Sequence, residues 1–203
     1  MSWDERYREG GYIFGEEPSG FFVNVAHRIP HGNVLFLGDG YGRNSVYLAS
    51  LGGYKVVSLD ESSVANEKAM ELANRRGVEI ETVNASLELY AIDPNRWQGI
   101  VSIFCHLEPE LRSRVHHAAV NGLAEGGVFI LQAYTPKQLE YRSGGPSRLE
   151  MLMNLDMLRK DLEGLTMEYS EEVEYEFSEG QLHHGMAAVV QVVARKNGVK
   201  IGI

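Results

Sequence analysis

The chain has 203 residues, a hydrophobic share of 44%, a charged share of 23% and a formal net charge of −9. That composition suits one soluble globular domain, and no apolar stretch is long enough to cross a bilayer. With no basic run beyond pairs such as Arg75-Arg76, a nucleic-acid partner is not expected, because phosphates are met by clustered Lys and Arg.

The first twenty residues, MSWDERYREGGYIFGEEPSG, are charged and aromatic and lack the apolar core of a secretory signal. Together with a single cysteine, Cys105, this points to a cytoplasmic location. NVLFLGDG at 33–40 is an apolar run closed by glycines, the signature of a strand buried on both faces of a parallel sheet. RNSVYLASLGG at 43–53 then predicts a helix stopped by Gly52-Gly53. YKVVSLDES predicts a second strand ending in Asp60, followed by a helix capped by Ser62 or Ser63 that runs to Arg75-Arg76 and stops at Gly77. VEIETVNA at 78–85 and GIVSIFCH at 99–106 predict strands three and four. Pro109 opens a helix through Arg112, Val115, Ala119 and Leu123 that is expected to end at Gly126-Gly127, before a fifth strand, VFILQAY, at 128–134.

Alternating strands and helices imply right-handed crossovers and a doubly wound, mostly parallel sheet of the α/β class. The last quarter breaks that rhythm. One or two helices are expected between Thr135 and Leu165, with Asn154 as a cap and Met151, Met153 and Met157 as packing residues. Between EEVEYEF at 171–177 and MAAVVQVVARK at 186–196 lies only SEGQLHHG, too short for a parallel crossover, so these two strands should form an antiparallel hairpin. The tail NGVKIGI is expected to be flexible.

Ligands of such sheets bind outside the carboxyl ends of the strands, after strand one. There Gly38, Gly40 and Gly42 form GxGxG, a turn whose backbone can approach a ligand closely. A dinucleotide fingerprint needs its third glycine where Arg43 stands, so the NAD reading is disfavoured. Asp60, about twenty residues on, is placed to accept hydrogen bonds from two ribose hydroxyls, and turn and acid together imply a nucleoside.

From Trp3 to Lys196 the chain, through WDERY, YIFGEEPSGFF, LGDGYGRNSVYLA, VSLDES, GIVSIFCHL, GGVFILQAYTP and AVVQVVARK, resembles the class I S-adenosylmethionine-dependent methyltransferases. Within that class it is similar to the small bacterial tellurite-resistance (TehB-like) group. The resemblance implies a Rossmann-like seven-stranded sheet with strand seven antiparallel, and S-adenosylmethionine as cofactor. It implies one domain over 1–203, with an aromatic lid-like segment at 1–22, a cofactor-binding core at 33–134, acceptor-side helices and the hairpin at 135–196, and a tail at 197–203.

Gly38, Gly40, Gly42, Asn44, Asp60 and Glu61 are then expected to hold the cofactor, with Asp39 near its amino group. Ala85, Ser86 and Leu87 follow strand three, and Ser86 stands where the family tends to carry an acid beside the adenine, a neutral and weaker partner. Phe104 and Cys105 are expected to line the pocket. Trp3, Tyr7 and Tyr12, with Phe14 and the glycines Gly10-Gly11 and Gly15, resemble a lid whose aromatic faces attract the sulfonium. Phe21 and Phe22 read as packing.

Methyl transfer from a sulfonium is an in-line displacement, so a base is needed only where the acceptor must lose a proton. His106 is a candidate base or a residue that shapes the pocket, and Tyr134 a second polar candidate. Cys105 reads as a small strand-end residue rather than a nucleophile, since it lacks the preceding proline of cytosine C5-methyltransferases. The Asp/Asn-Pro-Pro-Tyr motif of amino-group methyltransferases is also absent. His116-His117 and His183-His184 are adjacent pairs, expected at the surface, and no metal is expected. The acceptor is expected to be a small molecule such as a chalcogen oxyanion or a thiol, and the protein a monomer or weak homodimer. A cofactor-binding protein with little turnover and an NAD-dependent oxidoreductase are the alternatives.

Overall fold

The computed structural model describes residues 2–9, 12, 15–179 and 183–198. The expectations for Gly10, Gly11, Phe14, the hairpin turn at 180–182, the side chains of His183 and His184 and the tail from 199 fall outside the described residues.

In chain order the elements are α1 (Trp3–Glu9), α2 (Gly20–Val25), β1 (Gly32–Leu37), α3 (Arg43–Ser50), β2 (Tyr54–Asp60), α4 (Ser63–Arg76), β3 (Glu81–Asn84) and β4 (Trp97–Ile103). There follow α5 (Pro109–Gly122), β5 (Leu123–Tyr134), α6 (Gln138–Tyr141), α7 (Leu155–Asp161), β6 (Leu165–Glu179) and β7 (His183–Lys196). The seven strands lie in the order β3-β2-β1-β4-β5-β7-β6. β1 to β5 are parallel, and β7 runs antiparallel to both β5 and β6, which is the expected mostly parallel sheet with its antiparallel last strand.

Both faces of the sheet are buried, as the continuous apolar runs require. Leu35, Leu37, Val57, Leu59, Phe129 and Leu131 pack on one face with α5 and α7, while Val34, Phe36, Val56, Val101 and Ile130 pack on the other with Phe22 and Leu72. Each such side chain contributes about 1.5–3 kcal/mol by leaving water. Caps fall where the sequence put them: Ser62 Oγ accepts the Ala65 N–H at 3.1 Å, and Asn154 Oδ1 accepts the Met157 N–H at 2.9 Å.

Three expectations are corrected. Helix α5 ends at Gly122 instead of Gly126-Gly127, and the chain passes directly into β5. A Cβ at Gly122 would lie 2.5 Å from Ile92 Cγ2, so the helix end is wedged against the segment before β4. Gly126 and Gly127 instead sit in a register shift of the β4–β5 ladder between Trp97 and Gly99. Strand β6 starts at Leu165, six residues before the expected edge: it pairs with β7 from Leu165–Lys196 onward, through a register shift between Met167 and Tyr169 that breaks the alternation there.

The third correction concerns His116, which is 2% exposed rather than at the surface. Its Nδ1 lies 3.0 Å from Asp161 Oδ2, and Arg112 Nε donates to the same oxygen at 2.8 Å. Burial pushes the Asp161 carboxyl up, but the bonds from His116 and Arg112 outweigh it and hold the group down at about 2. Burial also keeps His116 neutral. This cluster joins α5 to α7 on the face of the sheet behind the cleft described next.

Candidate active site

Strand β1 lies between β2 and β4, so the chain leaves it to one side and returns on the other, which opens a crevice at the strands' carboxyl ends. A cleft of about 620 Å³ occupies that position. This is within the roughly 300–1,000 Å³ range of small-molecule sites.

Its floor is the turn after β1. Gly38 has φ +57°, and a Cβ there would lie 2.7 Å from Cys105 Sγ; Gly40 has φ +61°, and a Cβ there would lie 2.7 Å from the Tyr7 hydroxyl. Side chains are excluded at both positions by conformation and by space. Asp39 lines the cleft and accepts the Ser58 hydroxyl at 2.7 Å; burial pushes its carboxyl up to about 7, against hydrogen bonds from Ser45 and Ser58. Asn44 also lines the cleft while its Oδ1 accepts the Ser19 N–H at 2.9 Å. Gly42 does not line the cleft: it is the N-cap of α3 and packs against Ala69.

Asp60 ends β2 beside this turn. Its Oδ2 accepts the Gly40 N–H at 2.8 Å and its Oδ1 the Ser62 N–H at 2.9 Å, so one carboxylate ties the turn to the start of α4. Burial raises its pKa, partly countered by those two bonds. Glu61, Ala85, Ser86 and Leu87 continue the wall, and the Ser86 hydroxyl accepts the Glu88 N–H at 3.0 Å.

The N-terminal helix α1 closes over this end. Tyr7 is buried, stacks on Trp3 at 5.7 Å and meets Tyr41 edge-on, and the Ser62 hydroxyl donates to Asp4 at 2.5 Å. Trp3 and Tyr7 line the cleft. Tyr12 does not; it packs edge-on behind Tyr41 and its hydroxyl donates to the Lys68 carbonyl at 3.2 Å.

The far end begins where β4 stops. Phe104 has φ +56°, a conformation that costs a non-glycine residue roughly 1–2 kcal/mol, and its N–H is held by the Gln132 carbonyl at 2.7 Å. The ring lies 4.7 Å from that of Tyr134, which is stacked on His106 at 5.6 Å. His106 Nδ1 lies 3.0 Å from the Met151 carbonyl, which assigns its hydrogen to that nitrogen, and Nε2 accepts the Tyr134 N–H at 3.4 Å. Both nitrogens are thus engaged by backbone, and burial pulls the ring down to about 4. Burial likewise pushes the Cys105 thiol up to about 12, so it is not a thiolate at neutral pH.

Residues 144–148 close this end, together with Leu107, Leu111 and Met151. Residues 144–148 and Leu111 carry no expectation from the sequence, although the Gly144-Gly145-Pro146 cluster is a loop signal in its own right, and Met151, expected as packing, lines the cleft. Among the described residues no group of three or more His, Cys, Asp or Glu could hold a metal ion, and no helix is long and apolar enough to cross a membrane.

Residues 34–127, which carry the turn, Asp60 and the strand-four edge, match the methyltransferase domain family. They form a class I methyltransferase core. A sarcosine/dimethylglycine N-methyltransferase of Halorhodospira halochloris is 35% identical over 103 residues, 50% of this chain and 37% of that protein, so the chain spans little more than a third of this curated relative. The methyltransferase fold extends over nearly the whole chain. TehB from Haemophilus influenzae superposes with a TM-score of 0.73 at 23% identity, over 89% of this chain and 63% of that one. The N-methyltransferase NodS from Bradyrhizobium japonicum, solved with S-adenosyl-L-homocysteine, gives 0.70 at 14% identity, over 98% and 100%. The residues of the methyltransferase core fit the class's donor: a close-approach turn, a carboxylate with lone pairs to spare and an apolar wall.

Proposed function

We propose that this chain transfers a methyl group from S-adenosylmethionine to a small acceptor that presents its own lone pair, a chalcogen oxyanion or a thiol. When bound, the cofactor supplies an electrophilic methyl on a sulfonium. The chain's part is to hold and align two reactants, which can supply most of the acceleration of an in-line displacement. Asp60 and the Gly38–Gly40 turn hold the nucleoside, Asp39 faces the amino group, and Trp3 and Tyr7 cover them. Phe104, Tyr134 and His106 form the wall against which the acceptor lies, and their aromatic faces favour a sulfonium.

The observation that carries this reading is His106. A ring that donates to the Met151 carbonyl and accepts from the Tyr134 N–H has no lone pair for a proton from the acceptor. We read His106 as a pocket-shaping bridge and Tyr134 as a wall, which favours acceptors that need no deprotonation by the protein: an oxyanion, or a thiol that enters as its thiolate, its proton already lost to solvent. A second reading, an amine acceptor, draws on the similarity to the sarcosine/dimethylglycine enzyme.

The test is calorimetric titration with S-adenosylmethionine and S-adenosyl-L-homocysteine beside NADH, followed by turnover with tellurite, selenite, 2-mercaptoethanol and sarcosine. Micromolar binding of the first two and turnover of an oxyanion or the thiol is expected. Turnover of sarcosine alone would favour the amine reading, cofactor binding with no turnover would favour a binding protein, and preference for NADH would sink the proposal.

A further inference from the structure

The far end of the cleft is formed by a strap, residues 143–148, that has no secondary structure of its own between α6 and Leu149. It nevertheless lies against the aromatic wall: a Cβ on Gly145 would sit 2.6 Å from Tyr134 Cδ2. What holds it there is Gln138, the first residue of α6, which is 1% exposed and does not line the cleft. Its Oε1 accepts the Ala188 N–H of β7 at 2.8 Å, while its Nε2 donates to the Ser143 hydroxyl at 2.9 Å and to the Gly144 carbonyl at 3.2 Å. Ser143 in turn donates to the Met186 carbonyl of the same strand. At the other end of the strap, Arg148 pairs with Glu108 at the start of α5 and with Glu150.

These two attachments differ in kind. The arginine pair is exposed and therefore weak and readily exchanged with water. The Gln138 side chain and its bond to Ala188 are buried, while its bonds to Ser143 and Gly144 are half-buried; an amide with both ends engaged is costly to leave half satisfied, so this end is held more firmly than the arginine end. A buried glutamine on a four-residue helix, spending one end on the sheet and the other on a loop that reaches the cleft, couples the strap's position to the rigid β7.

We propose that Gln138 is a positioning residue for the acceptor: it fixes the 143–148 strap over Tyr134 and so sets the size of the acceptor mouth. This rests on the reading above that the acceptor enters at the Tyr134 end. The cofactor end is built from β1, β2 and α1 and does not depend on the strap.

The test uses the full chain with Gln138→Met, which fills the space without the bonds, and Ser143→Ala, which leaves the Gln138–Ala188 bond in place. Circular dichroism and titration with S-adenosyl-L-homocysteine report the fold and the cofactor end, and Kd is expected within twofold of the parent in both variants. Trypsin cuts after Arg142 and Arg148, which flank the strap, and the cut in Gln138→Met is expected at least fivefold faster. With whichever of tellurite, selenite, 2-mercaptoethanol or sarcosine turns over, acceptor KM is expected to rise at least fivefold with kcat within twofold. An unchanged cutting rate, or a fall in kcat at unchanged KM, overturns the inference. If the parent binds no S-adenosyl-L-homocysteine or turns over no acceptor, the proposed function fails, and the cutting rate alone still decides the role of Gln138.

Discussion

Replacing Asp60 with alanine removes the carboxylate on which the cofactor end of the cleft is organised. Each of its oxygens accepts one backbone N–H, from Gly40 at 2.8 Å and Ser62 at 2.9 Å. A carboxylate oxygen has two in-plane lone pairs, so one remains on each for a ribose hydroxyl. Charge-assisted bonds of this kind contribute about 1.5–3 kcal/mol each, hence about 3–6 kcal/mol together. That corresponds to a loss of roughly 10²–10⁴ in affinity. Asp60 is buried, so part of its hydration is lost in the fold itself; this raises the carboxyl's pKa and favours a full effect. The substitution also orphans the Gly40 and Ser62 N–H groups, so the variant should melt earlier, and binding is best measured by calorimetry at about 15 °C with circular dichroism confirming the fold. A folded Asp60→Ala protein that binds S-adenosyl-L-homocysteine within threefold of the parent would refute the reasoning.

Asp39, held up at about 7 by burial, is partly protonated at neutral pH, and a cationic amino group beside it would press it down, so cofactor binding should release on the order of half a proton. Calorimetric enthalpies in phosphate and Tris at pH 7 should therefore differ, the difference should vanish in Asp39→Asn, and equal enthalpies in the parent would rule the assignment out. For His106 the unfolded ring takes up a proton near 6.5 and the folded ring only near 4, so stability is lost as pH falls through that window, by up to about 3 kcal/mol. Urea melts at pH 4.5 and 7 should show a larger loss in the parent than in His106→Gln, which keeps only the part from buried His116 and other groups; an equal loss in both would refute the assignment. Asp161→Ala leaves Arg112 buried without its partner and should cost about 3–5 kcal/mol in urea unfolding; a cost below about 1 kcal/mol would mean the pair has no structural weight.

The end of the cleft at the turn after β1 is readable in the sequence because its signals are local. Gly38, Gly40 and Asp60 each stand at the end of a continuous apolar strand, and strand periodicity alone places them together. The acceptor half is not local. Gln138, Gly144 and Arg148 meet Tyr134, Ala188 and Glu108 only through the order in which strands enter the sheet, and nothing in their own neighbourhood marks a site. His116 illustrates the same limit from another side: read beside His117 it suggests a surface pair, and only Asp161, forty-five residues on, explains why it is buried. Helix α5 was misjudged at its end because Gly126-Gly127 is a plausible stop, whereas the wedge at Gly122 depends on Ile92. Gly42 and Tyr12 show that a residue can be placed beside a site by pattern while its partners assign it to packing.

The place of β7 in the sheet bears on how the molecule is made. The strand between β5 and β6 follows the other six strands of the sheet in sequence, and it pairs with β5 from Val128 to Tyr134. Until residues 189–195 have been synthesised, that side of β5 presents unsatisfied amides and carbonyls flanked by apolar side chains, an edge open to association with other chains. Because Gln138 also draws its anchor from Ala188, a chain cut short before β7 would lose the acceptor strap as well as the sheet edge, while the turn and Asp60 would remain encoded. Completion of the sheet and anchoring of the 143–148 strap therefore both wait on the same strand.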